Sequence, residues 1–571
     1  MSNDEALGKS STIGESTTQR GILILVVLSY FAFAGYYLSV LNLPLSVDQS
    51  YYLIPAIKAY RALELSGVRD FYSTLLTETP NKPLLFYGYI AASFVPFGIS
   101  EFSPLYGNLI IHAAGAVLLL LFFRRHFSPH TPMAVILALF LFAPYINGMI
   151  FDHLPEYLLG AIVLFCFLAF LHWFLLASPE RPPGVTAHLV LGALLGLAFL
   201  AKQTAALFLV PILGGLVQRF YTYPKERLLI LLSLLACVAV ASLWYLPNFS
   251  TFWFYSVHHV VTDDYRVPVP ILLYHLFWSA FTPLYFVLFA LAVTFAAIAW
   301  RTFDDHARRA LLMVGGGIFI PFVALTLVST NRQPRFLFPI IPLCVLFMGI
   351  VATQLAPRLA GHARTLASGA VASLALINLA YFGMGLREVL RGMPTNRLSG
   401  VPLSYNFNGG YLKMPVSEPG LKLIGLVEAL RQRNPKSPLS IMFVCSNEFM
   451  VAEYTYWQSL QRGWNDQIFR ISSAEELEAR LSADPPDYVI GWEDKGAPPA
   501  FGRGRYSALP EFLNAKRPFE EITDSIDYRV PYLGKLRVFA RTAAPADATH
   551  PTRSAYEPGR QGVSERIGRG G

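Results

Sequence analysis

Long apolar stretches recur along the first two thirds of the chain, and short polar loops separate them. A helix needs about 20 apolar residues to cross the hydrocarbon core of a bilayer, so the pattern predicts about eleven membrane-spanning helices. They cover residues 21–43, 104–123, 133–150, 156–177, 187–201, 203–218, 228–247, 271–299, 310–329, 336–355 and 366–386.

Two further helical segments do not fit as spans. Residues 83–99 form a short apolar run that starts with Pro83 and contains Pro96. We therefore expect a helix that lies on, or dips into, the outer membrane surface. Residues 49–66 mix aromatic, aliphatic and charged side chains, which predicts an interfacial helix.

Composition and charge agree with a membrane protein. Only 14% of the 571 residues are charged and 54% are hydrophobic, whereas a soluble domain carries about 25% charged residues. If the N-terminus is cytoplasmic, every inner loop near a span carries at least one cation, and the C-terminus lies outside. The net charge of +8 is thus spread over many short loops, so we expect no nucleic-acid partner.

The composition changes after residue 386. A polar linker over residues 387–418 precedes a predicted α/β domain over residues 419–541, and residues 542–571 have the composition of a disordered tail. Strands are predicted at 439–445, 467–472, 487–492 and 535–540, and helices at 419–433, 448–462 and 474–483. The predicted fold class is a mainly α membrane protein, with a cytoplasmic tail over 1–20, a transmembrane domain over 21–386 and a small outer α/β domain.

In this topology, ionisable residues near the membrane gather on the outer side. Such groups are costly at membrane depth and usually mark function. The candidates are Asp48, Tyr52 and Lys82 in the first outer loop, Asp152 and Glu156 in the second, Lys202 at an outer turn, His258 and His259 in the fourth loop, and Arg335 in the fifth.

These residue types suit the transfer of a sugar from a lipid phosphate. A base must deprotonate the acceptor, and Asp48 is the candidate. Cations must neutralise the leaving phosphate, which is the role expected of Lys82, Lys202 and Arg335. No cofactor is required by the pattern, although the acidic and histidine side chains could instead hold a divalent cation.

Each candidate also has a structural interpretation. Asp48 could cap the helix that follows it, and Lys82 and Arg335 could extend to the membrane interface. Either Asp152 or Glu156 could simply begin the next helix. Lys202 is harder to explain in this way, because apolar residues flank it on both sides.

Five short motifs carry a family resemblance. They are Asp48 after the first span, Lys82 in NKPLLFYGY, the pair Pro155–Glu156, Lys202 in GLAFLAKQTA, and Arg335 in RQPRFLFPIIP. Because these five motifs occur in this order, the chain resembles the GT-C superfamily of membrane glycosyltransferases. Within it, the chain is similar to the branch of protein mannosyltransferases and aminoarabinose transferases of lipid A. The segment that begins at His258 and His259 resembles the fourth outer loop of these enzymes more loosely.

The resemblance implies inverting transfer of a monosaccharide from a polyprenyl-phosphate donor to a lipid, glycan or protein acceptor. It implies that Asp48 is the base or acceptor anchor. Lys82, Lys202 and Arg335 would bind the donor phosphate, and Asp152 and Glu156 would orient the acceptor or the sugar. It also favours a bacterial inner membrane, with the site on the periplasmic face.

The sequence departs from the family pattern at two positions. Gln49 follows Asp48 where an acidic residue is common, and Asn81 precedes Lys82 where aminoarabinose transferases have an acidic residue. The second departure weakens aminoarabinose as the sugar.

Two rival functions use the same residues differently. A transporter of a lipid-linked sugar would share the cations, but no inverted repeat is visible in the sequence. A non-catalytic scaffold would leave the acidic and basic motifs without a role.

Overall fold

Helices dominate the first 380 residues in the computed structural model, and a small mixed sheet follows near the C-terminus. The structure describes residues 3–40, 47–80, 82–127, 132–151, 153–177, 182–254, 268–276, 281–328, 334–359, 361–380, 424–434, 438–444, 451–464, 466–471, 474–493, 513, 519–523 and 535–542.

The helices of the first part, in chain order, are α1 (Asn3–Val40), α2 (Val47–Ser66), α3 (Val68–Glu78), α4 (Leu85–Phe97), α5 (Ser103–His126), α6 (Met133–Leu141), α7 (Pro144–Ile150), α8 (Pro155–Phe170), α9 (Val185–Ala201), α10 (Ala205–Thr222), α11 (Arg227–Tyr245), α12 (Val269–His275), α13 (Thr282–Ile298), α14 (Asp305–Val323), α15 (Ile340–Leu355) and α16 (Gly361–Ala380). One π-helical turn, Leu171–Leu175, extends α8, and another, Ala324–Val328, extends α14. A 3₁₀ turn over Pro334–Leu337 precedes α15.

The chain separates into two compact units. The first comprises Met1–Phe71 and Thr79–Gly420, and the second comprises Tyr72–Glu78 and Leu421–Gly571.

The helices of the first unit account for the predicted spans. Within the described residues, eight helices are long and apolar enough to cross a membrane, and the bent pair α6–α7 makes a ninth. α9 and α13 are apolar helices of 17 residues each, so every predicted span has a helical counterpart. At least eight described helices thus have the length and apolarity of a span, and the protein is a multi-pass integral membrane protein, while the count of about eleven stays a prediction.

Two predicted spans are wrong in detail because their helices are interrupted. Residues 133–150 form α6 and α7, which meet at an angle of 51°. α7 begins at Pro144, whose ring and missing N–H prevent it from continuing the preceding helix. Residues 271–299 contain the end of α12 and the whole of α13 rather than one helix, and residues 277–280 between them lie outside the described part.

The two segments predicted not to span are both helical. α4 has 13 residues, which at 1.5 Å per residue gives about 20 Å, too short for a hydrocarbon core of about 30 Å. α2 buries Leu53, Ala56 and Ile57 completely and exposes Leu65 near its end. α2 therefore packs one face inside the first unit, and the interfacial position predicted for it stays a prediction.

The second unit contains a five-stranded sheet with helices on its faces. Its strands are β1 (Ser440–Val444), β2 (Gln467–Ile471), β3 (Tyr488–Glu493), β4 (Phe519–Glu521) and β5 (Lys535–Arg541), and its helices are α17 (Ile424–Arg433), α18 (Val451–Gln461) and α19 (Ala474–Ala483). The strand order is β2-β1-β3-β5-β4, with β1 parallel to β2 and β3, and β5 antiparallel to β3 and β4.

Alternating side chains of β1 build the two cores of the sheet. Ile441 and Phe443 pack with Leu430 of α17, whereas Met442 packs with Leu477 and Leu481 of α19. Successive side chains of a strand point to opposite faces, so helices cover both faces of this sheet. The predicted α/β fold of this region is confirmed, and β4 is a strand that the sequence did not predict.

Close contact between α9 and α11 depends on two glycines of α9. A Cβ atom at Gly192 would lie 2.2 Å from the carbonyl oxygen of Ser233, and one at Gly196 would lie 2.6 Å from Cβ of Val240. Small residues spaced four apart let two membrane helices approach closely. The distance between these helices therefore requires glycine at both positions.

We expect Gly192→Ala to destabilise the protein, because its methyl group would meet backbone and force α9 and α11 apart. The loss should be about 1–3 kcal/mol, as for other overpacked sites. Thermal unfolding in detergent measures it. Gly214→Ala in α10 is the control, since a Cβ there has nothing within 4 Å. Equal unfolding temperatures for the two variants would contradict the proposed close packing.

Candidate active site

A buried ion pair joins α8 to the turn after α9. Pro155 begins α8, and Glu156 lies in its first turn, where its side chain is 2% exposed. α9 ends at Ala201 because Lys202 is extended, with φ −166° and ψ 142°. Lys202 Nζ donates to Glu156 Oε1 at 2.5 Å. The break between α9 and α10 was predicted at this lysine and is confirmed.

Arg335 adds a second cation to the same carboxylate. It lies in the 3₁₀ turn before α15, and its Nε is 3.7 Å from Glu156 Oε1. Both cations also lie over the ring of Phe336, whose centre is 4.0 Å from Lys202 Nζ and 5.6 Å from Arg335 Cζ. The two cations and one carboxylate give this cluster a formal charge of +1. Lys202 and Arg335 are 15% and 24% exposed, so both are accessible in part.

Lys82 lies in the turn before α4 and contacts α2. Its Nζ is 3.4 Å from the hydroxyl oxygen of Tyr52 and 4.8 Å from the centre of that ring. Tyr52 packs on Phe86 of α4, with ring centres 5.1 Å apart. Asp48 lies one helical turn before Tyr52 in α2. The structure therefore brings Lys82 into contact with Tyr52, which lies on the same helix as Asp48.

Two hydrogen bonds connect the Lys82 turn to the end of α9. Trp244 at the end of α11 donates from Nε1 to the carbonyl of Thr79, at 3.1 Å. Its neighbour Tyr245 donates to the carbonyl of Phe199 in α9, at 3.2 Å. Lys202 follows Phe199 by three residues. Lys82 and Lys202 therefore lie at the same end of the first unit, as the predicted topology requires.

Some predicted site residues lie outside the described part of the chain. Asp152, His258 and His259 are among them, and so is the side chain of Asp48. Asp48 itself lies within α2, which begins at Val47, so its backbone belongs to the first turn. The roles predicted for these four residues stay predictions.

The described residues do not fit a metal ion. No group of three His, Cys, Asp or Glu side chains among them is close enough to hold one. The Glu156 carboxylate already faces two cations, which compete with a metal for its oxygens.

The sequence did not predict the polar contacts that support the start of α8. Asn108 in α5 is buried, and its Nδ2 donates to the carbonyl of Ile150 at the end of α7, at 2.8 Å. Tyr157, next to Glu156, donates to the carbonyl of Asn108 at 3.1 Å. His153 Nε2 donates to the carbonyl of Glu101 at 2.5 Å. An asparagine inside an apolar run is unusual, and that was the available signal.

We expect Lys202→Met to destabilise the protein, because the buried Glu156 carboxylate would keep only the more distant Arg335. The free energy of unfolding should fall by about 3 kcal/mol, the lower end for breaking a buried ion pair. Adding Glu156→Gln should restore part of the loss, since a neutral amide needs no cation. Thermal unfolding measures both, with exposed Lys225→Met as the control. Unfolding of Lys202→Met at the wild-type temperature would exclude a stabilising pair.

No protein-family model matches the chain, and no curated protein matches it in sequence. Solved structures do match its fold. ArnT from Cupriavidus metallidurans in the apo state aligns with a TM-score of 0.57 and 16% identity, over 92% of this chain and 99% of that one. ArnT bound to undecaprenyl phosphate gives 0.55 and 15%, over 92% and 98%. The chain thus shares the ArnT fold of the GT-C type, as its motifs predicted.

Proposed function

We propose that the protein is a glycosyltransferase that takes a monosaccharide from a polyprenyl-phosphate carrier. The observation that carries the proposal is the pair of cations, Lys202 and Arg335, held on one buried carboxylate at the end of the bundle that also carries Lys82. Two partly exposed cations held close together suit a phosphate. The shared fold supports the lipid carrier, because ArnT has been solved with undecaprenyl phosphate.

The proposed reaction is a single displacement at the anomeric carbon. The acceptor hydroxyl oxygen attacks this carbon and forms the glycosidic bond, while the bond to the phosphate oxygen breaks and leaves its electron pair on that oxygen. The hydroxyl proton passes to the carboxylate of Asp48. The products are the glycosylated acceptor and polyprenyl phosphate.

Negative charge on the phosphate grows during this step, and the cations stabilise it. A phosphodiester with one negative charge becomes a monoester that can carry two, so fixed cations stabilise the transition state more than the bound donor. Lys82, Lys202 and Arg335 take this role in the proposal.

Glu156 takes a different role from the one that the sequence suggested. Its described ionic contacts are with Lys202 and Arg335, so it is suited to hold these two cations close together. Orienting the acceptor or the sugar then falls to Asp152, with His258, His259 and Tyr52 as further candidates for substrate contact.

We also propose where the site lies in the cell. The site would face the periplasm of a bacterial inner membrane, and the acceptor would be a lipid, glycan or protein of the cell envelope. The polyprenyl tail would stay among the membrane helices while the phosphate reaches the cations.

We expect Asp48→Asn to lower transfer at least about 100-fold, because the acceptor loses its base. The assay measures free polyprenyl phosphate released from a panel of polyprenyl-phosphate sugars, with an outer-leaflet glycolipid extract as the acceptor. Asp305→Asn is the matched control, since that aspartate is exposed and lies at the start of α14. Normal transfer by folded Asp48→Asn would rule out the base. Donor binding without release from any donor would favour the transporter.

We expect Lys82→Met to weaken the binding of undecaprenyl phosphate about tenfold, the effect of losing one charge-assisted hydrogen bond. The difference in affinity between the variant and the wild type should shrink as salt rises, because added ions screen the attraction between Lys82 and the phosphate. Equilibrium binding of the purified protein to the lipid in detergent measures the change. Lys225→Met should bind like the wild type. Equal binding by Lys82→Met would remove Lys82 from the phosphate site.

A further inference from the structure

A chain of hydrogen bonds connects the helix after Lys82 to the helix that carries Glu156 in its first turn. Tyr89 in α4 donates to Asn108 Oδ1 at 2.7 Å and is 3.0 Å from the carbonyl of Pro104. Asn108 in turn donates to the carbonyl of Ile150, and its own carbonyl accepts from Tyr157. Four helices, α4, α5, α7 and α8, thus meet at one residue, whose side chain bonds α4 and α7 and whose backbone carbonyl bonds α8.

The sequence provides a slot for the tyrosine. Gly107 precedes Asn108, and a Cβ atom there would lie 2.5 Å from the Tyr89 hydroxyl oxygen and 3.1 Å from Cζ. Any larger residue at 107 would therefore push the hydroxyl away from its present position. The glycine and the two polar side chains form one local arrangement, which we call the Tyr89–Asn108 link.

We infer that Tyr89 and Asn108 are positioning residues, which set the distance between Lys82 and the cation cluster on Glu156. This inference rests on the proposed function. Lys82 lies just before α4, and α4 is fixed to α5 by Tyr89. Glu156 lies in the first turn of α8, where the neighbouring Tyr157 bonds the backbone carbonyl of residue 108, and the side chain of Asn108 holds the end of α7. Neither positioning residue needs to touch the substrate.

The geometry limits the expected size of the effect. A second connection runs from Thr79 through Trp244 and Tyr245 to Phe199, and it also ties the Lys82 turn to the Lys202 turn. Loss of the Tyr89–Asn108 link would therefore loosen the spacing without abolishing it. An amide or hydroxyl that loses its hydrogen-bond partner inside the protein costs free energy. We therefore expect α4 and α5 to shift rather than leave such a group unpaired.

The test measures equilibrium affinity for undecaprenyl phosphate in the purified full chain. We expect Tyr89→Phe and Gly107→Ala each to weaken binding about fivefold, the effect of one hydrogen bond. Asn108→Leu removes both side-chain bonds and should weaken it more. Because Tyr89 and Asn108 share one bond, the double variant Tyr89→Phe/Asn108→Leu should bind no worse than Asn108→Leu alone.

Tyr285→Phe is the matched control. Tyr285 is a buried tyrosine of the first unit that donates to the carbonyl of Leu139 at 3.1 Å, and its described hydrogen bond involves neither Asn108 nor a cation of the site. We expect this variant to lose thermal stability without losing affinity. If Asn108→Leu does not fold, the milder Tyr89→Phe and Gly107→Ala variants decide the question.

The outcomes separate this inference from the proposed function. If the wild type binds undecaprenyl phosphate and Tyr89→Phe binds it as tightly, with only its stability reduced, the residues are structural and the inference is wrong. If the wild type itself does not bind the lipid, while folded and monodisperse, the proposed function fails and the inference fails with it. Weaker binding by Tyr89→Phe alone, beside an unchanged Tyr285→Phe, supports the inference.

Discussion

The arrangement of the helices around the candidate site depends on one buried carboxylate that requires a cation. Glu156 is nearly inaccessible, and a buried charge without a partner costs several kcal/mol. Lys202 meets this requirement from the turn after α9, and Arg335 adds to it from the turn before α15. The start of α8, the turn after α9 and the turn before α15 are far apart in the chain and must therefore lie close together in the fold. The ion cluster fixes the ends of these helices, while apolar packing fixes their sides.

The same cluster explains how fixed positive charge can be kept near the membrane. Two neighbouring cations repel each other, and in a medium of low dielectric constant the repulsion is large. The Glu156 carboxylate, which faces both cations, lowers this cost. Phe336 places the negative face of its ring against both cations and adds a weaker attraction. The carboxylate and the ring together thus hold the two cations close to each other.

Much of this architecture could be predicted from the sequence, because apolar runs long enough to cross a bilayer have few alternatives. The turn at Lys202 was predicted from a lysine inside such a run. The bend at Pro144 was missed, since a proline in an apolar run gives no measure of how far the helix turns. The pairing of Glu156 with Lys202 and Arg335, and the hydrogen bonds of Asn108, depend on how helices are aligned against each other. No local pattern encodes that alignment.

The short length of α9 has a consequence for the membrane around it. Its 17 residues extend about 25 Å, less than a hydrocarbon core of about 30 Å, and any tilt shortens the span further. Such a hydrophobic mismatch draws the lipid headgroups inward or leaves the turn at Lys202 below their usual level. In the first case the cation is level with the drawn-in headgroups, and in the second it is level with the first carbons of the acyl chains. For the proposed lipid-phosphate donor, either arrangement allows a sideways approach within the leaflet, so the thickness of the bilayer would affect donor binding.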